Sequence, residues 1–341
     1  MPPWSERPQP FWAALLIVAL ALPFLLSARG AEAAQAEPPG KRPRLGISLP
    51  SFRESRWQFD IQALQAQADV QGVDILVRFA GNDQKQQNVQ VKELVNIGID
   101  ALIMAPTDVF NTLDGIAYAK EHNVPVVSYD RLAENCDVDA YVAFERFGVG
   151  ELMGQYLVGH APKGNYVLLR GPRSDTNALE FFEGAMKHIL PLVQSGDITV
   201  VLEAEIAGWR ADVAEKLVEA ALGESKDIAA VLAPNDDTAG GAVAALARHD
   251  LAGKTVVTGQ DATTGALQRI NTGVQGMTVL KDTNILARQA MVVALSLSRE
   301  APMRTDIFTP NGMKEVPTFK QPVIFVDRHN LNWVLRLSEF H

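Results

Sequence analysis

Ala101-Leu102-Ile103-Met104-Ala105-Pro106-Thr107-Asp108 aligns without a gap on Ala229-Ala230-Val231-Leu232-Ala233-Pro234-Asn235-Asp236. Each stretch opens with a short apolar run closed by Ala-Pro, too short for a helix, and reads as a buried strand with a polar tip. A second echo follows: Val126-Val127-Ser128-Tyr129-Asp130 against Val256-Val257-Thr258-Gly259-Gln260-Asp261, one residue longer. A repeat at roughly 130 residues is far too long for a solenoid and suits two similar domains. Chance likeness between buried strands is the weaker reading, because Ala-Pro-polar-Asp recurs at the strand end and not only inside it.

Outward from these runs the same rhythm continues. Leu45-Gly46-Ile47-Ser48-Leu49 and Asp74-Ile75-Leu76-Val77 precede the first echo; Tyr166-Val167-Leu168-Leu169 and Ile198-Thr199-Val200-Val201 precede the second. Between them lie stretches with apolar residues three and four apart, as in Val91, Leu94 and Val95. Buried strands separated by such helices are βαβ units, so the expected fold class is α/β, with two similar doubly wound parallel-sheet (Rossmann-like) lobes. Ligands in such sheets sit beyond the carboxyl ends of the strands. Asp108, Asp130, Asp236 and Asp261 all fall at or just after such ends, and their tips line one cleft if the sheets face each other.

A chain of 341 residues with 47% hydrophobic content can build a core in each of two domains. Its net charge of -9 gives no global attraction to nucleic acid or anionic lipid. The single cysteine, Cys136, cannot close an intrachain disulfide, and no Cys/His cluster offers a metal site. The apolar run from Phe11 to Ala28, followed by Ala31-Glu32-Ala33 and Ala34-Gln35-Ala36, has the order of a cleavable secretory signal. Residues 1–33 are read as that signal and 34–42 as a linker. An uncleaved membrane anchor is the alternative, disfavoured by Pro23 and the short run.

The strand ends carry a particular set of side chains: Arg53-Glu54-Ser55-Arg56-Trp57, Asp130-Arg131, Asp175-Thr176-Asn177, Gly208-Trp209-Arg210, Asn235-Asp236, Gln260-Asp261 and Lys281. Carboxylates accept from hydroxyls, Arg, Lys and Asn donate, and an aromatic ring covers an apolar ring face; these are the needs of a buried polyol. Each residue also has a plainer use. Asn82, Asp175 and Asn235 suit helix caps, Asp130-Arg131 a surface ion pair, and Trp57 core or hinge packing.

Arg56-Trp57-Gln58, Tyr129-Asp130-Arg131, Gly164-Asn165-Tyr166, Asn177-Ala178, Gly208-Trp209, Asn235-Asp236 with Thr238-Ala239-Gly240-Gly241, Gly259-Gln260-Asp261-Ala262, and Met277-Thr278-Val279 before Lys281 carry a more specific likeness. With them the chain resembles the bacterial periplasmic D-xylose-binding proteins of the ribose-binding, type 1 periplasmic binding protein superfamily, from about Arg44 onward. The resemblance implies sugar contacts at Arg56, Asp130, Arg131, Asn177, Trp209, Asn235, Asp261 and Lys281, with Gln260 beside them, and no cofactor. It further implies a three-crossing hinge, with one lobe at 43–144 plus 281–313 and the other at 145–280 plus 314–341. The expected protein is a periplasmic monomer that closes around an aldopentose such as D-xylose and serves an inner-membrane ABC permease, or alternatively a sensor kinase or chemoreceptor. Pro50-Ser51, Thr176, Glu145-Arg146 and Asp282 depart from the pattern. The first two bear on the choice of sugar, and Glu145-Arg146 on closure.

Other classes fit less well. A sugar hydrolase would need paired carboxylates with a nucleophile or positioned water, and no such sign is present. Gly148-Val149-Gly150 with Gly154 is spaced GxGxxxG rather than GxGxxG, and suits close packing at a helix start better than a dinucleotide. A repressor of this architecture would begin with a helix-turn-helix module where the apolar segment stands.

Overall fold

The computed structural model describes residues 42–338. The expected signal over 1–33 and the linker before residue 42 lie outside the described residues. Among the described residues no helix is long and apolar enough to cross a membrane.

In the first lobe β1 (Arg44–Leu49), β2 (Asp74–Phe79), β3 (Ala101–Met104), β4 (Val126–Tyr129) and β5 (Ala140–Phe144) alternate with α1 (Ser55–Gln71), α2 (Gln84–Ile97) and α3 (Leu113–Glu121). The five strands are parallel in the order β2-β1-β3-β4-β5. Side chains alternate across the sheet. Ala101 and Ile103 join Leu45, Ile47 and Leu49 against Leu64 of α1 and Met291 of α9 (Thr283–Ser298). Leu102 and Met104 join Val126 against Val91 and Leu94 of α2. Both faces are apolar, which is why these strands read as unbroken hydrophobic runs.

The second lobe begins with α4 (Arg146–His160), β6 (Gly164–Arg170), α5 (Thr176–Gln194), β7 (Ile198–Glu205) and α6 (Ala211–Glu224). It continues through β8 (Ile228–Leu232), α7 (Asp236–Arg248), β9 (Val256–Val257), α8 (Thr264–Thr272) and β10 (Met277–Leu280). Its parallel sheet, β7-β6-β8-β9, repeats the order β2-β1-β3-β4 of the first. The echoing sequences are therefore the third strands, β3 and β8, and then the fourth, β4 and β9. The likeness ends at the fifth strand. β10 lies beside the β9 segment through Gly276 N–H to the Val257 carbonyl at 2.9 Å and Asp261 N–H to the Val279 carbonyl at 2.8 Å, and pairs antiparallel with β13 (Ile324–Asp327). At the α4–α5 contact a Cβ on Gly150 would lie 2.0 Å from the Phe181 carbonyl oxygen, and one on Gly154 2.4 Å from that of Ala185. Gly150 and Gly154 of the GxGxxxG run thus serve helix packing.

The chain passes between lobes at Glu145, at Lys281-Asp282 and at Pro322-Val323. The last crossing lies beyond the boundary expected after residue 313. β12 (Glu315–Gln321) pairs in parallel with β5, and β11 (Phe308–Pro310) pairs antiparallel with β12, so 314–321 belong to the first lobe. Val316 is buried in that lobe's core and Phe319 packs against it. Pro322 cannot donate to a ladder, and the strand stops there. Lys320 Nζ lies 3.0 Å from Glu145 Oε2, tying the first crossing to the third. The final helix, α10 (Leu331–Ser338), packs on α8 and β13.

Candidate functional site

The carboxyl ends of both sheets meet over a narrow cleft, closed down to a free volume of about 20 Å³. All nine sequence-predicted residues line it: Arg56, Asp130, Arg131, Asn177, Trp209, Asn235, Gln260, Asp261 and Lys281. Glu54, Trp57, Asp175 and Phe181 line it too. These four stood outside the predicted set, although Asp175 is two residues before Asn177 and Phe181 one helical turn after it.

Local geometry delivers each side chain. Arg56 and Trp57 occupy the first turn of α1, and Asn177 that of α5. Asp130 and Asp261 follow β4 and β9 with φ of 61° and 100°, turning the chain sharply at the strand tips. Trp209 ends a 3-10 turn with φ 55°, after Gly208 at φ 65°. Its ring lies against Gly171, where a Cβ would fall 2.4 Å from Cη2.

The cleft is a network of paired charges. Arg56 Nε donates to Asp60 Oδ2 at 3.0 Å, and its Nη2 lies 2.8 Å from Asp130 Oδ1. Arg131 bridges the lobes, with Nε 2.7 Å from Asp175 Oδ2 and Nη2 3.8 Å from Glu54 Oε2. Lys281 Nζ lies 2.9 Å from Asp261 Oδ1, and Arg56 Nη1 3.9 Å from the same oxygen. Asn177 Nδ2, from the second lobe, donates to the Asp130 carbonyl of the first at 3.0 Å. Both guanidiniums lie over the Trp57 ring, at 5.2 and 5.1 Å, and the Lys281 ammonium lies 5.6 Å from the Phe181 centroid.

Burial opposes ionisation of Asp130, but Arg56, with Lys281 and Arg131, outweighs it and holds the carboxyl below its ordinary range. Burial likewise pulls on Arg56, yet Asp130, Asp60 and Asp261 raise it well above the usual guanidinium value. Glu54 and Asp175 are pushed up by burial, against the opposing charge of Arg131. Asp60 rises for the same reason against Arg56, and accepts the Tyr129 hydroxyl. Asp60, four residues after Arg56, is a supporting residue that sequence reading missed; the i,i+4 spacing was its only signal.

Nine buried side-chain nitrogen or oxygen atoms among the described residues lack a well-aligned hydrogen bond, and five belong to this cleft. Three are donors, Arg56 Nη2, Arg131 Nε and Trp209 Nε1; two are acceptors, Gln260 Oε1 and Asp261 Oδ1. Arg56 Nη2, Arg131 Nε and Asp261 Oδ1 nevertheless lie 2.8, 2.7 and 2.9 Å from opposite charges, which leaves Trp209 Nε1 and Gln260 Oε1 without any partner among the described residues, at a cost of about 1–3 kcal/mol each. Their convergence marks a place for a ligand that both donates and accepts.

Several expectations are corrected by these positions. Asp108 lies outside the cleft and accepts from the Phe110 N–H and Asn111 Nδ2. Asp236 sits behind the lining, where it accepts from Thr263 N–H, Thr278 Oγ1 and Gln275 Nε2. Asn82 caps nothing: Asp83 caps α2, while Asn82 Nδ2 donates to Glu54. Asp175 and Asn235 are both caps and cleft residues, of α5 and α7. Trp57 also lines the cleft, though 1% exposed, with Nε1 donating to Glu54 at 2.9 Å. Asp282 caps α9, which accounts for an acid after Lys281. Arg146 reaches the site's edge, donating to Asn177 Oδ1 at 3.4 Å and pairing with Glu180 at 2.7 Å.

A hinged pair of similar α/β lobes, closed over a cleft of paired charges, aromatic faces and unmatched hydrogen-bonding atoms, defines a bilobal solute-binding protein. The sequence profile of the periplasmic binding protein domain matches residues 45–301, and the chain belongs to that family. It is 37% identical to the D-xylose-binding periplasmic protein of Haemophilus influenzae, over 87% of this chain and 90% of that one. Its identity to the Escherichia coli protein of the same description is 35%, covering 88% and 92%. Among solved structures, the carbohydrate transporter solute-binding protein of Chloroflexus aurantiacus in complex with D-glucose superposes with a TM-score of 0.83 at 30% identity, covering 88% of this chain and 97% of that one. These relatives are named for sugar binding in the periplasm or for carbohydrate transport.

Proposed function

We propose that the chain closes around one aldopentose, D-xylose in the first instance, and delivers it as a monomer to an inner-membrane ABC importer after export across that membrane. The observation that carries the reading is one buried cleft in which donors and acceptors converge, with Trp209 Nε1 and Gln260 Oε1 left without any partner among the described residues, beside the faces of Trp57, Trp209 and Phe181. A polyol answers both kinds of atom, and its C–H face answers the rings. Every lining cation has a carboxylate within 4 Å, so the cleft favours a neutral ligand over an ion. Identity with relatives named for D-xylose supports a pentose over a hexose.

In this reading Arg56, Arg131, Asn177, Asn235 and Lys281 donate to sugar oxygens, Asp130 and Asp261 accept from hydroxyls, Gln260 adds an acceptor, and Trp209 covers a ring face. Closure completes the bonds, so the sugar stabilises the closed state by its differential affinity. Thermal-shift screening against pentoses, hexoses and polyols tests it. D-xylose at about 100 times its Kd stabilises by about 2.7 kcal/mol, an unmistakable shift. The proposal is overturned if no member of the panel raises the midpoint.

A further inference from the structure

The start of α1 carries Glu54, Arg56 and Trp57 into the cleft, yet it lacks a cap of its own. Glu54, at the N-cap position, makes no capping bond, because its carboxylate is taken by Trp57 Nε1 and Asn82 Nδ2. The cap comes from the opposite lobe. Asp237, in the first turn of α7, accepts the Ser55 N–H at 3.1 Å through Oδ2 and the Ser55 hydroxyl at 2.9 Å through Oδ1. The two residues lie 182 positions apart and neither lines the cleft.

We propose that Ser55 and Asp237 form an interlobe clasp that sets ligand affinity by weighting the closed state, without touching the ligand. The proposal rests on the sugar-binding reading. Both bonds end on a carboxylate, and one satisfies a helix N-terminal N–H left unpaired on its own side. Because the partners ride on different lobes, opening returns both to water. Apparent affinity scales with the population of the binding-competent state, so the clasp enters Kd directly. It also fixes the neighbouring Arg56, whose reach to Asp130 and Asp261 depends on where α1 begins. The other interlobe bond at the rim, Val109 N–H to the Ser174 carbonyl at 3.0 Å, is between backbones and independent of side-chain identity.

Calorimetry with D-xylose on Asp237→Ala, Ser55→Ala, Ser55→Thr and the double alanine variant tests the clasp. Asp237→Ala loses both bonds and weakens binding roughly tenfold, and Ser55→Ala roughly threefold. Ser55→Thr keeps the hydroxyl and the N–H and retains wild-type affinity. The double variant is no weaker than Asp237→Ala alone, since one interaction is lost once. In parallel, interlobe distances between spin labels at exposed positions 114 and 187 are measured without sugar, and lengthen in the alanine variants. Summed losses in the double variant, or Asp237→Ala with both affinity and distance distribution unchanged, overturn the clasp. If the wild type takes no D-xylose, the sugar reading fails while the ligand-free distances still decide the clasp.

Discussion

Asp261→Asn removes one charge from the cleft and leaves the outline of the side chain intact. Asp261 sits at φ 100°, where asparagine is tolerated better than most residues, so little backbone strain is added. In the wild type its Oδ1 is 2.9 Å from Lys281 Nζ, and no other carboxylate among the described residues lies within 4 Å of that ammonium. Lys281 is 4% exposed, and a buried cation robbed of its partner costs about 3–5 kcal/mol if it stays dry. An open cleft lets water reach Lys281, so the penalty falls mainly on the closed, liganded state. A hydroxyl bonded to a carboxylate contributes about 1.5–3 kcal/mol, against about 1 kcal/mol for a neutral acceptor. The two effects together set a floor near 3 kcal/mol, roughly 100-fold in Kd. Calorimetric titration with D-xylose measures the loss, and thermal unfolding of the ligand-free proteins separates it from damage to the fold. A Kd within threefold of wild type refutes the role of Asp261 as a ligand acceptor.

Gly171→Ala places a Cβ 2.4 Å from the Trp209 ring and 2.8 Å from the Ala178 Cβ and pushes that ring into the cleft; binding weakens at least tenfold, and overpacking lowers ligand-free stability by about 1–3 kcal/mol. An unchanged Kd argues that the Trp209 ring does not cover the ligand. Trp209→Phe keeps an aromatic face and removes the unpartnered Nε1–H, so a roughly five- to tenfold loss is expected in titration, and no loss shows that this donor goes unused. Asp236 is pushed up to about 7 by burial and by the charge of Asp261. A raised folded-state value stabilises below the ordinary 3.8, and that contribution is lost as pH climbs through about 7. From pH 4 to 8 the wild type therefore loses up to about 4 kcal/mol relative to Asp236→Asn in urea unfolding, and a pH-independent difference between them counts against the burial argument.

What was legible in the sequence is what local backbone geometry dictates. Strand tips show in the run of apolar residues before Ala-Pro, and the residues just past them, Asp130, Asn235, Gln260 and Asp261, line the cleft. Asp108 and Asp236 occupy equivalent positions along their strands and do not. One loop turns Asp108 onto Phe110 and Asn111, and Asp236 is drawn back by Thr263, Gln275 and Thr278 from elements that no single motif contains. Treating a cap and a ligand contact as alternatives was the wrong division. A capping residue stands at a helix N-terminus, which is also where a parallel sheet presents its ligand, so Asp175 and Asn235 both cap a helix and line the cleft. Asn235 Oδ1 is committed to Thr238, while its Nδ2 makes no bond among the described residues. The third crossing was misplaced for a related reason. β12 has the composition of an ordinary edge strand, and only its pairing with β5, some 175 residues earlier, decides which lobe it joins.

The same division separates recognition from closure. Groups that would touch a sugar lie within a few residues of a strand end or a helix start and leave a local trace. Groups that hold the lobes together meet only across the fold: Ser55 with Asp237, Arg131 with Asp175, Asn177 with Asp130. Two of these three pairs are also cleft residues, so in the proposed reading a substitution at Arg131 or Asn177 changes ligand contact and lobe closure at once. Its measured loss in affinity cannot be assigned to either alone. Ser55 and Asp237 lie outside the lining, so their variants change closure without removing a cleft side chain. Ligand-free interlobe distances for Arg131→Ala then separate the two contributions. If Arg131 acts partly by closing the lobes, the distance lengthens as it does in Asp237→Ala; if it acts only on the ligand, the distance stays at its wild-type value.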